Sequence, residues 1–73
     1  MTLGELIRSE QERRGWSDSE LARRADVPQS AVWSILNGAT TRPRWDTVLA
    51  LLGALERDLA WLHRNGIKPN AEG

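Results

Sequence analysis

Apolar side chains recur at three- and four-residue spacing along most of the chain, the repeat of helices that turn one face inward. Leu3, Leu6 and Ile7 open the first such stretch, with Thr2 and Glu5 ahead of it at capping-box spacing. It runs to Gly15, where a left-handed residue is expected to end a helix after Arg13 and Arg14. Ser17 and Glu20 repeat the capping-box spacing, and Trp16 and Leu21 flank it where a hydrophobic staple would clamp the entry angle. A second helix is thus predicted from Asp18, with Leu21, Ala22 and Ala25 on one side and Arg23 and Arg24 on the other. Asp26 and Pro28 cut it short. A third helix, from Pro28 or Gln29 to Leu36, buries Val32 and Ile35 and stops at Asn37-Gly38. After a polar loop with a proline, Ala39 to Arg44, a fourth stretch presents Trp45, Val48, Leu49, Leu52 and Leu55. Apolar content continues through Leu59, Trp61 and Leu62 as far as His63. No segment alternates with period two, so the expected fold is all-α, compact and built of four to five helices.

The chain of 73 residues shows no internal break in composition, which predicts one domain over residues 1–66 with a flexible C-terminal tail over 67–73. That size lies near the lower limit for a self-sufficient apolar core, so any function has to sit on the surface of one small core. The absence of cysteine excludes disulfides, thiolate zinc sites and a cysteine nucleophile. The longest apolar run, Val48 to Leu52, is far too short to cross a bilayer, and Met1 to Glu5 lack a basic-then-apolar leader pattern. A soluble, cytoplasmic protein without a membrane partner is expected. The single histidine, His63, stands beside Arg64 with no carboxylate or cysteine at ligand or triad spacing. Glu5, Glu10, Glu12, Asp18 and Glu20 interleave with arginines, the pattern of a solvated helical surface. No catalytic site, metal site or cofactor is therefore expected, and the chain does not read as an enzyme. Ten basic and ten acidic residues give zero net charge, which by itself argues against a polyanionic partner. The charges are unevenly distributed, however. No acidic residue lies between Asp26 and Asp46, a window that contains Arg42 and Arg44.

The connection between the second and third helices is about three residues long, which forces two short helices to cross steeply and leaves the later one protruding. Ala22 supplies the small side chain needed where the backbones approach, over Leu21, Ala25, Val27, Val32 and Ile35. The run Leu21-Ala22-x-x-Ala25-Asp26-Val27-x-Gln29-Ser30-x-Val32-x-x-Ile35-x-Asn37-Gly38 resembles the Cro/repressor helix-turn-helix of the xenobiotic-response-element type. The continuations Thr41-Arg42-Pro43-Arg44-Trp45 and Asp58-Leu59-Ala60-Trp61-Leu62 are similar to the DNA-binding domains of lambdoid phage repressors and Cro proteins. This resemblance implies a lambda-repressor-like five-helix domain whose second and third helices form the helix-turn-helix. It also implies a transcriptional regulator, usually a repressor, that binds double-stranded operator DNA as a two-fold homodimer.

The same resemblance places Gln29, Ser30 and Ser34 on the groove-facing side of the third helix. A glutamine amide can pair bidentately with adenine, and serine hydroxyls serve base or phosphate, or simply cap the helix. Trp33 should be exposed, packing either on thymine methyls and sugars or over Leu36 and the next loop. Arg42 and Arg44 fall where the similar phage proteins contact phosphates or the minor groove, and Thr40 and Thr41 could grip the same strand. Trp16, Trp45 and Trp61 are expected in the core.

Three positions depart from the family pattern. Asp26 stands where glycine is usual in the turn, and aspartate tolerates the left-handed region better than most residues. Asp18 stands where a glutamine often touches phosphate, which predicts a weaker backbone grip there. Glu56-Arg57 replaces a glycine-containing break, so the fourth and fifth helices either stay separate or fuse. In the first case Trp61 folds back onto the core and its flanks pair across a dimer axis; in the second, Leu59 and Leu62 need a partner helix. Arg57, Leu59, Trp61 and Leu62 are accordingly the expected dimer surface. The alternative to a DNA reader is a protein-interaction module on the same fold, such as an antitoxin or co-regulator.

Overall fold

Five helices make up the computed structural model, which describes residues 2–39 and 43–67: α1 (Leu3–Arg14), α2 (Asp18–Ala25), α3 (Gln29–Leu36), α4 (Trp45–Leu55) and α5 (Leu59–Arg64). There is no strand among the described residues, in agreement with the expected all-α architecture. Local chemistry accounts for the helix starts. The Thr2 hydroxyl accepts from the Glu5 amide at 3.1 Å while the Glu5 carboxylate accepts from the Thr2 amide at 2.8 Å, a complete capping box. At α2 only half of the expected box forms. Ser17 Oγ accepts from the Glu20 amide at 3.1 Å, but the Glu20 carboxylate turns to Arg23 and Arg24, whose guanidinium donors outcompete a backbone amide for it. Asp58 caps α5 by accepting from the Trp61 amide at 2.9 Å.

All five helices end in the same way. A residue in left-handed conformation follows each: Gly15, Asp26, Gly38, Glu56 and Gly66. The next residue's amide reaches back to the carbonyl five positions earlier, as in Trp16 to Gln11, Val27 to Ala22 and Arg57 to Leu52. This is the Schellman arrangement, which satisfies carbonyls that a helix end would otherwise leave bare. Two of the five positions carry carboxylates in place of glycine. The break at Glu56 (φ 60°, ψ 41°) keeps α4 and α5 separate, which decides between the two arrangements left open by the sequence.

The core has two lobes. Ile7, Leu21, Ala22, Ala25, Val32, Ile35, Leu36, Leu51 and Leu55 fill the space beneath α2 and α3. Leu6, Val48, Leu52, Trp61 and Leu62 form the second lobe, which exists because α5 folds back. Ile67 packs against this lobe, and residues 68–73 of the expected tail lie outside the described residues. Gly4 allows α1 to cross the end of α3 at backbone contact; a β-carbon there would lie 2.5 Å from the Ile35 carbonyl oxygen.

Three expectations need correction. Trp45 is 41% exposed rather than buried, and Leu49 is 44% exposed. The inward arc of α4 is already filled by Val48, Leu51, Leu52 and Leu55, and at about 100° per residue positions 45 and 49 fall outside it. Trp16 is half-buried rather than fully in the core, with the guanidinium of Arg24 4.3 Å above its ring and that of Arg14 at 5.5 Å. Glu10 is not part of a solvated surface: it is 3% exposed. Its carboxylate takes Arg14 Nη1 at 2.6 Å, Arg13 Nη1 at 3.0 Å and Arg57 Nη2 at 3.0 Å. Arg14 also donates to the Leu55 carbonyl at 2.8 Å, and the Arg57 guanidinium lies 5.2 Å from the Trp61 ring centre. Burial pushes the Glu10 carboxyl up, but the hydrogen bonds from Arg14 and Arg57 and the charges of Arg57 and Arg13 hold it below its ordinary value.

Candidate nucleic-acid interface

Only Asp26, Val27 and Pro28 separate α2 from α3. Asp26 takes the left-handed conformation at φ 59°, ψ 45°, which reverses the chain at once. Val27 is then half-buried against the lobe below, and Pro28, extended at φ −62°, ψ 144°, sets the entry to α3. Under this turn Leu21 and Val32 are fully buried, each contributing roughly 1.5–3 kcal/mol. Val32, Ile35 and Leu36 hold the inner side of α3 in the core, and Gln29, Ser30 and Trp33 are consequently turned to solvent. Trp33 is 54% exposed, Ser34 is half-buried at the edge of that face, and the Asn37 side chain donates to the Trp33 carbonyl at 2.9 Å.

The chemistry of this face is neutral and polar, with one large aromatic. No charged residue occurs anywhere in α3. Pro28 has no side chain able to cap the helix, so the first amides point outward without a side-chain acceptor. Such an end accommodates an anion, and a glutamine amide beside it can read a base edge. Positive charge has to come from neighbouring segments. Arg44, at the start of α4, is exposed and bonded to Asp46 at 3.1 Å. Hydrogen bonding to Asp46 raises the Arg44 guanidinium further above its ordinary value, and the bond from Arg44 lowers the Asp46 carboxyl. Two exposed partners form a weak pair, easily exchanged for a phosphate. At the start of α2, Asp18 accepts from Gln11 Nε2 at 3.0 Å, which ties it to α1.

The expected site residues are thus distributed unequally. Gln29, Ser30 and Trp33 share one exposed face, with Ser34 at its margin and Arg44 on a different helix. Thr40, Thr41 and Arg42 lie outside the described residues. Of the four residues expected at a dimer surface, Trp61 and Leu62 are buried in the chain's own second lobe and Arg57 is bonded to Glu10. Leu59 remains 39% exposed.

The helix-turn-helix domain family matches this chain over residues 2–63, which takes in α1 to α5 almost completely. The chain belongs to that family. Membership in the helix-turn-helix domain family points to DNA binding. Neither the curated proteins nor the solved structures gave a match. Among the described residues of this helix-turn-helix domain, no helix is long and apolar enough to cross a membrane. Two residues of structural weight escaped sequence reasoning, Glu10 and Asp58. The second carried a signal, since an aspartate just ahead of Leu59-Ala60-Trp61 is a helix-start residue.

Proposed function

We propose that this helix-turn-helix domain is a sequence-specific reader of double-stranded DNA and a transcriptional regulator of the Cro/repressor kind, which represses by binding an inverted-repeat operator as a homodimer. Its role is binding rather than catalysis, in the cytoplasm. One observation carries the reading: α3 is anchored by Val32, Ile35 and Leu36, and no element among the described residues covers Gln29, Ser30 and Trp33. In this reading Gln29 pairs with a base edge, Ser30 and Ser34 contact base or phosphate, and Trp33 packs on thymine methyls or sugars. Arg44, with Thr40, Thr41 and Arg42, grips the backbone or enters the minor groove.

Selection of bound sequences from random duplex DNA tests the reading, and recovery of an inverted repeat with half-sites about one helical turn apart is expected. Gln29→Ala should relax base preference at one position of each half-site. Arg44→Ala should weaken binding to all sequences alike and reduce the salt slope by about one. The exposed Trp33 also suits a protein partner, and it favours the interaction-module reading together with the zero net charge. A partner bound through Trp33 should show little dependence on salt, whereas duplex affinity should fall with a log-log slope of about −0.9 per phosphate neutralised.

A further inference from the structure

Trp45, Leu49 and Gly53 follow one another at four-residue intervals along α4 and are all exposed. They form one continuous ridge, flanking the buried arc of Val48, Leu51, Leu52 and Leu55 on the side of Leu52. Nothing among the described residues explains the ridge. Two large apolar side chains face water, and a glycine in mid-helix costs roughly 1 kcal/mol relative to alanine. Gly53 has no left-handed backbone to require it, and a β-carbon there would meet nothing within 4 Å. The ridge descends in size from a large side chain through a medium one to none.

We infer that this ridge is a self-association surface, on which α4 of a second copy lies antiparallel with the two-fold axis at Leu49. Under that symmetry each residue four positions before the centre meets the residue four positions after it on the partner. The Trp45 ring is thereby laid over the bare backbone of the partner's Gly53, and the reverse contact forms across the axis. Rows of residues four apart are also the ridges that interdigitate in the commonest class of helix packing. The charges agree. Arg44, whose exposed pair with Asp46 is weak, stands at one end of α4, and Glu56, exposed and in no ion pair among the described residues, stands at the other. Antiparallel pairing brings each Arg44 toward the partner's Glu56 and sets opposite ends of the helix dipoles side by side.

The inference rests on the homodimer proposed above and names its surface. It is tested without DNA, so its failure leaves the role of α3 to be judged on its own. The contact covers about three turns of helix, at the small end of the range for specific interfaces, so weak association is expected. The experiment is sedimentation of the full chain from about 10 μM to 1 mM, a range that brackets weak association. Wild type should dimerise as concentration rises. Leu49→Glu and Leu49→Lys should each remain monomeric, because like charges meet at the axis, and mixing the two should restore a mixed dimer. Trp45→Ala should weaken self-association about thirtyfold or more. Gly53→Ala should raise the melting temperature of the monomer yet weaken the dimer, a pair of opposed effects that a purely structural role would not produce. Circular dichroism checks that each variant keeps its helices. A wild-type chain that stays monomeric throughout, Leu49 variants that associate as wild type does, or a mixture that fails to pair would each overturn the inference. Loss of duplex binding in Trp45→Ala with a monomeric wild type would assign the ridge to DNA instead.

Discussion

The connections after α2 and after α4 share a backbone and differ in their anchors. Asp26 and Glu56 occupy nearly the same left-handed conformation, and both are followed by an amide that reaches back five residues. After Asp26 the next residue is Val27, whose side chain drops into the lobe beneath α2 and α3. After Glu56 it is Arg57, held by Glu10 of α1 and stacked on Trp61. The first anchor is apolar and comes from sequence neighbours, so the turn is fixed by non-directional burial and leaves Gln29, Ser30 and Trp33 on the outer face of α3 exposed. The second is ionic and comes from the far end of the chain, and it is added to the apolar lobe in which Trp61 and Leu62 pack α5 against Leu6, Val48 and Leu52. The turn before α3 thus rests on an apolar footing alone, whereas the turn before α5 adds charge to one.

Substitutions can pull the two anchors apart. The largest effect is expected from Leu21→Ala, which empties a fully buried position under the first turn and should cost about 3 kcal/mol in denaturant unfolding, independently of pH. Equal losses at acid and neutral pH would support the apolar footing, and a strongly pH-dependent loss would break the contrast. Glu10→Gln should cost about 2 kcal/mol at neutral pH, because it leaves the poorly exposed Arg14 and Arg57 guanidiniums without their carboxylate. The folded carboxyl lies below its ordinary value of 4.5, so its contribution is complete above that pH and is lost as the pH falls through the folded value. A stability gap between wild type and Glu10→Gln that closes on acidification is the expected result; a constant gap would mean that packing, not charge, holds α5. The smallest effects come from the turns themselves. Glu56→Gly should stabilise the fold by about 1 kcal/mol and Asp26→Gly by about half of that, since aspartate bears the left-handed conformation more readily. Thermal melting that ranked the two in the opposite order would show that the Glu56 side chain holds something in place.

Much of the first half was legible from neighbouring residues. The Thr2 cap, the left-handed end at Gly15, the short α2, the turn at Asp26 and the stop at Asn37-Gly38 depend on contacts within a few residues, and the structure contains them all. The exposure of Trp33 followed from the burial of Val32 and Ile35, while the family resemblance placed Gln29 and Ser30 on the outer side, where both are exposed. The second half was harder. An apolar stripe shows which residues prefer burial but not how much of it the core can accept, and so Trp45 and Leu49 looked internal. Glu10 sits among arginines in a pattern shared by any solvated helix, and its burial depends on Arg57, which no local spacing links to it.

The sequence by itself determined where the helices begin and end, the steep turn and the composition of the face that α3 exposes, because capping, proline and left-handed residues act over a single turn of chain. Tertiary structure alone decided that α4 and α5 separate, that Glu10 is buried with three arginines around it, and that Trp45, Leu49 and Gly53 form an outer ridge. These depend on the competition of several faces for one small interior. A few side chains fill that space, and the remainder, however apolar, are left at the surface.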